Sequence, residues 1–163
     1  MMNGGIFPSV HTPVLSQRLF RIPILRTILT KFANFPLFAR SLNGVFGQYT
    51  KASFTELQDF WKLIRLQEGY RVWPELLTYI DERFENENRW ISALKTTVPL
   101  HFIYGPADPV NPSPLFDETF KQIVGEKHIT VLPIYIGHYP HVEDVERVFT
   151  TYLSFINTIL RVP

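Results

Sequence analysis

Two loops hold the residues whose types and spacing could do chemistry. Gly105-Pro106-Ala107-Asp108-Pro109-Val110-Asn111-Pro112 offers a carboxylate at Asp108. Ile136-Gly137-His138-Tyr139-Pro140-His141-Val142-Glu143-Asp144 offers an imidazole at His138, 30 positions further on. Each loop follows a short apolar run of strand character, and open α/β sheets gather ligands beyond the carboxyl ends of their strands. An acid in one such loop and a histidine in the next can meet across two adjacent strands. The chemistry served is proton transfer: the carboxylate fixes the imidazole tautomer and stabilises the imidazolium formed during turnover.

Plainer readings compete at each position. Asp-Pro is common where a chain turns after a strand, and a loop histidine can be a simple capping group. His141 is the rival base, but no glycine precedes it. His138-x-x-His141-x-Glu143 could be read as a metal site. Zinc-binding histidines on a helix usually stand at i and i+4, and Pro140 and the loop setting argue against it. Asn3-Gly4-Gly5 could form an anion-binding nest, yet no Lys-Ser/Thr follows, so a plain turn is expected, with φ > 0 open to both glycines. Tyr49, Trp61, Tyr70, Trp73 and Tyr79 lie in the helical part of the chain and are expected to pack.

The elements that must position these residues follow from periodicity. Met1 to Phe7 reads as the end of a strand, stopped by Pro8. Leu15, Leu19, Ile22, Leu25, Ile28, Leu29 and Phe32 recur at spacings of three and four, which predicts two short amphipathic helices with a break near Pro23. Ser53-Phe54-Thr55-Glu56 is a capping box. It opens a helix with Leu57, Phe60, Trp61 and Ile64 on one face and Gly69 as a stop. Pro74 fits the first turn of another helix, with Leu76, Leu77, Ile80 and Phe84 inward, and an apolar turn follows at Trp90, Ile91 and Leu94. Beyond Lys95 the texture changes. Val98–Tyr104 and His128–Pro133 read as strands, Pro114–Val124 and Val142–Leu160 as helices. Val145, Val148, Phe149, Tyr152, Phe155, Ile156 and Ile159 form the buried stripe expected of the last helix. Strand, helix, strand, helix implies parallel pairing through a right-handed crossover. A helical segment of residues 8–95 therefore precedes a βαβα unit of residues 96–163.

Composition bounds the function classes. The 163 residues are 45% hydrophobic and 15% aromatic, enough to bury a core and too apolar for a disordered chain. With no cysteine, disulfides, zinc–thiolate sites and Cys nucleophiles are excluded. The net charge of +1 gives no pull toward nucleic acid. No Asp or Glu precedes Glu56, whereas Arg18, Arg21, Arg26, Lys31, Arg40 and Lys51 do, so the first third is basic and apolar. No apolar run reaches the roughly 18–20 residues that a membrane-spanning helix needs. The amino terminus lacks the layout of a secretory signal.

Strand–Gly-x-x-Asp–helix–strand–Gly-His-Tyr-Pro-x-x-Glu-Asp resembles the closing part of the epoxide hydrolase and haloalkane dehalogenase branch of the α/β-hydrolases. Asn3–Pro8, His101–Pro106 and Asp108–Pro112 strengthen that resemblance, which runs over essentially the whole chain. It implies an α/β class, a partial α/β-hydrolase fold. Residues 1–7 would end a sixth core strand, 8–95 would form a helical cap, and 96–163 would supply the last two strands with their helices. It makes Asp108 the triad acid and His138 the triad base. The family's nucleophile, an Asp or Ser on a strand-to-helix elbow, precedes the sixth strand and would lie upstream of Met1. A search for Gly-x-Ser-x-Gly finds none. The oxyanion-hole loop is also upstream in the family, so the chain alone is expected to be inactive.

The resemblance implies no cofactor and no metal, and a small apolar substrate where the full fold is present. It points to the endoplasmic reticulum membrane, with a cytoplasmic location as the alternative. Two readings of another class stand beside it. One is a non-enzymatic interaction module or truncated remnant with an exposed sheet edge. The other is a peripheral protein that meets a membrane surface through its basic amino-terminal helix.

Overall fold

The computed structural model describes residues 1–160, and the side chains of Trp73 and Pro74 lie outside the description. Prolines and side-chain caps divide the first part of the chain into short helices: α1 Leu15–Phe20, α2 Pro23–Lys31, α3 Phe35–Asn43, α4 Phe54–Arg65, α5 Trp73–Leu76, α6 Tyr79–Glu85 and α7 Glu87–Ala93. The break falls at Arg21–Ile22, where Pro23 opens α2 in the first-turn position that needs no N–H donor. The Asn34 side chain caps α3 by accepting the Leu37 N–H at 3.1 Å. The capping box of α4 closes in both directions. Ser53 Oγ accepts the Glu56 N–H at 3.3 Å, and the Glu56 carboxylate accepts the Ser53 N–H at 2.7 Å.

Within the helical segment, boundaries differ from the sequence reading at α4 and after Pro74. Helix α4 ends at Arg65, ahead of Gly69, because Gln67 and Glu68 take left-handed φ values of 49° and 60° inside a 3₁₀ turn over Leu66–Arg71. The single helix expected from Pro74 to Phe84 is two, α5 and α6. Its inward face is also different: Ile80 and Arg83 are buried, while Leu76 and Phe84 stand 62% and 54% exposed. The break between Leu76 and Tyr79 rotates the second piece, so the i, i+3 pair Ile80 and Arg83 faces the body.

The rest of the chain runs β1 Phe102–Tyr104, α8 Leu115–Ile123, β2 Ile129–Val131, α9 Pro140–Glu143 and α10 Val145–Leu160. β1 and β2 pair in parallel, with Phe102 opposite Ile129 and Tyr104 opposite Val131. On the other side of β1 the amino terminus forms a single parallel bridge, Met2 to Ile103. The Ile103 N–H donates to the Met1 carbonyl at 2.8 Å. The fold is thus mixed and helix-rich around a small two-stranded parallel sheet. Both strands are shorter than their apolar runs, since Pro99 and Pro133 have no N–H to extend a ladder.

One core forms where Ile6, Phe7 and Val10 meet Phe102, Tyr104, Phe116, Phe120 and Ile129. Its rings interlock, with Phe102 and Phe120 centroids 5.1 Å apart and Tyr104 and Phe116 5.0 Å apart. Burial of each such ring contributes roughly 1.5–3 kcal/mol. A second core joins Val45, Phe46, Ala52 and Leu57 to Val110, tying the helical segment to the loop after β1. A third, Ile103, Leu132, Ile136 and Val148, seats α10 on the sheet. The expected stripe of α10 is only partly covered. Val148 is buried and Phe155, Ile156 and Ile159 half-buried. Val145, Phe149 and Tyr152 stand 61%, 58% and 52% exposed. Two strands and one bridge are too narrow a sheet to cover a sixteen-residue amphipathic helix.

Candidate functional site

The loops after β1 and β2 lie against each other. Ala107 N–H donates to the Ile136 carbonyl at 2.8 Å. Three glycines allow backbone to touch backbone here. A Cβ at Gly105 would strike Ile136 and Gly137, one at Gly137 would strike Phe46 and Gly47, and one at Gly47 would strike Tyr135. Glu143, at the end of α9, fixes the second loop. Its carboxylate accepts the N–H groups of Gly137 at 2.7 Å, Gly47 at 2.9 Å and Tyr139 at 3.0 Å, together with the Thr50 hydroxyl. The His138 N–H donates to the Val45 carbonyl at 2.9 Å.

This packing brings Asp108 and His138 together. The Asp108 Oδ2 and His138 Nδ1 atoms are 2.8 Å apart, with the carboxylate side chain fully buried and the imidazole 24% exposed. Oδ2 also accepts from the Asn111 amide at 2.9 Å and the Asn3 amide at 3.1 Å, while Oδ1 accepts the Val110 N–H at 2.8 Å. Four N–H donors therefore replace the water that a buried carboxylate loses. An ionised carboxylate only accepts, so His138 Nδ1 must be the protonated nitrogen. The Nε2 lone pair of neutral His138 is then left free to take a proton. Among the described residues, no hydroxyl or carboxylate is hydrogen-bonded to Nε2.

Asn3, expected only as part of a plain turn, holds the two loops together. It takes a left-handed φ of 32°, the conformation expected instead at Gly4 or Gly5. Its amide donates to the Gly105 and Gly137 carbonyls as well as to Asp108, and its carbonyl oxygen accepts the Gly105 N–H at 2.9 Å. Gly5 leaves room for a side chain instead: a Cβ there would meet the guanidinium of Arg83, which donates to the Gly5 carbonyl. Asn111, within the quoted Asp-Pro-Val-Asn-Pro run, also donates to the Asn3 carbonyl at 3.1 Å, and its own carbonyl takes the Tyr104 hydroxyl at 2.6 Å. Burial of that tyrosine raises its pKa.

Arg83 is buried and His11 half-buried with its ring nitrogens shielded from water. Among the described residues, both His11 nitrogens lack a hydrogen-bond partner, as do Arg83 Nε and Nη2. The His11 pKa falls from 6.5 to about 4, first through burial and then through the Arg83 charge, with Asp108 opposing. His141 is exposed, with its ring facing Tyr139 at 6.0 Å. Glu143 is occupied by backbone donors, so His138, His141 and Glu143 do not converge. Among the described residues no group of His, Asp and Glu could hold a metal ion, and no helix is long and apolar enough to cross a membrane. Of the aromatic residues, Trp61 packs on Phe38 at 5.2 Å, Tyr79 lies under the Arg83 guanidinium, Tyr70 meets Arg65 and Arg71, and Tyr49 is exposed.

Comparison with curated proteins suggests a hydrolase-like family for this arrangement. The mesoderm-specific transcript homolog protein of Homo sapiens is 44% identical over 160 residues, which is 97% of this chain and 48% of that protein. The mesoderm-specific transcript protein of Mus musculus is 42% identical over the same shares. A more distant similarity, 29% over 144 residues, links 88% of this chain to 49% of the Mycobacterium tuberculosis protein named "Putative hydrolase LipZ". The chain spans about half the length of these relatives. No family model matches the chain, and no solved structure does.

Proposed function

We propose that the chain is the carboxyl-terminal half of an α/β-hydrolase related to the epoxide hydrolases, with Asp108 as triad acid and His138 as triad base. The observation that carries this reading is the 2.8 Å contact from the buried Asp108 carboxylate to His138 Nδ1. In the proposed reaction an upstream nucleophile attacks a small apolar substrate. His138, oriented by Asp108, then activates water to cleave the covalent intermediate. Residues 8–95 are the cap over the site, and residues 1–7, β1 and β2 are the sixth, seventh and eighth strands. The parallel bridge from Met2 to Ile103 supports that strand order.

The nucleophile and oxyanion donors are assigned to sequence outside these 163 residues, in the half of the relatives that this chain does not match. Each oxyanion donor is worth about 3–4 kcal/mol of barrier, so the chain by itself is inactive. Two chain lengths test the reading against aryl ester and epoxide substrates. The 163-residue chain should give no turnover. A chain extended with the missing half of a relative should turn over, and His138→Ala should lower its kcat by at least about a thousandfold. Turnover by the short chain that disappears in His138→Ala would refute the assignment of the nucleophile. An active extended chain indifferent to His138→Ala would refute the assignment of the base.

A further inference from the structure

The helical segment holds two adjoining clefts of opposite character. The first, about 420 Å³, is walled by Leu19, Phe20, Leu29, Leu37, Val45 and Trp61, and among the described residues the sole charged one on its lining is Arg40. The second, about 460 Å³, is lined by the cations Arg26, Lys31 and Arg71 against one carboxylate, Glu75. Thr30 and Tyr70 line both, so the apolar trough runs directly into the cationic one. Each volume falls within the roughly 300–1,000 Å³ of small-molecule sites.

The charges at the second cleft are unequally matched. Arg26 pairs with Glu75 at 2.6 Å, and Arg71 pairs with Glu68 at 2.8 Å. Lys31 has no carboxylate partner among the described residues. One cation in excess, next to a trough that water wets poorly, is complementary to a molecule with one anionic end and one hydrocarbon end. We propose that the joined clefts bind a free single-chain anionic amphiphile, a long-chain carboxylate. Its tail lies along the first cleft and its head meets Lys31 and Arg71. Hydrocarbon in the trough removes apolar surface from water, which favours binding. The carboxylate replaces water at Lys31 without breaking the Arg26–Glu75 pair. The tail reaches toward the acid–histidine pair through Val45, which walls the apolar cleft while its carbonyl holds the His138 N–H. The binding stands apart from the hydrolase reading, since it requires no chemistry at His138.

Titration of the chain with sodium dodecanoate below its micelle concentration, followed by calorimetry and tryptophan fluorescence, tests the site. Saturable one-to-one binding is expected. Reversal of the head contacts in Lys31→Glu/Arg71→Glu should weaken it about tenfold, and dodecanol should bind about tenfold more weakly than dodecanoate. Ala33→Phe, which fills the apolar cleft, should abolish binding. Lys31→Gln gives a milder head variant whose fold circular dichroism can verify. Absence of saturation overturns the proposal, and so does equal binding of dodecanol and dodecanoate with no effect of charge reversal. Sedimentation with phosphatidylserine vesicles that dodecanoate does not compete away also overturns it, by assigning the surface to a membrane.

Discussion

Asp108 has four N–H donors and almost no water, and that sets the cost of removing it. Asp108→Ala leaves the Val110 N–H and the His138 imidazole without their acceptor and takes one acceptor of several from the Asn3 and Asn111 amides. A loss of about 3–5 kcal/mol of folding stability is expected, the range for breaking a buried charged network from one side. Urea unfolding of the variant against the parent checks it. His11 makes the opposite kind of contribution. Burial and the charges of Arg83, His138 and Arg21 hold its pKa near 4, against 6.5 for an unperturbed imidazole, and Asp108 offsets only part of this. Between those values the unfolded chain binds a proton that the folded chain refuses. This part of the stability is therefore intact above pH 6.5 and is lost as pH falls toward 4. The urea midpoint should drop between pH 7 and pH 4.5, and His11→Gln should flatten that slope.

At the scale of elements, the site depends on loops packed backbone to backbone. Gly137→Ala puts a methyl group into the Phe46–Gly47 backbone and must push the 135–139 loop away from the 45–50 loop. It should destabilise the chain by about 2–4 kcal/mol, as overpacking and lost loop hydrogen bonds combine. His138 amide exchange should accelerate in native-state hydrogen exchange, while the α4 amides stay protected. The sequence made some of this legible because local chemistry decides it. The Ser53–Glu56 box and the break at Pro23 depend on residues no more than four positions apart. The glycine and proline punctuation likewise placed Asp108 and His138 in the two loops beyond the strands. What escaped the sequence depends on distant partners. Asn3 is 105 positions from Asp108, and Arg83 is 78 from the Gly5 carbonyl it binds. Neither has a local signal. The turn at Gln67–Glu68 was hidden for another reason, since neither residue type favours a positive φ.

At the scale of the whole molecule, a two-stranded sheet covers only part of the apolar stripe of α10. Val145, Phe149 and Tyr152 form an exposed apolar row along α10. The isolated chain should self-associate through it, and Phe149→Glu should raise the soluble monomer fraction in sedimentation velocity without altering the circular dichroism spectrum. Behind that uncovered face, the bridge at Met2, both strands and the α3–α4 loop converge on a single contact between a carboxylate and an imidazole. Nitrogen-15 and proton NMR of the His138 ring tests that contact most directly. The structure predicts the Nδ1–H tautomer at neutral pH, with an exchange-protected proton shifted far downfield that disappears in Asp108→Asn. A ring found as the Nε2–H tautomer, or one whose resonances ignore Asp108→Asn, would contradict the account.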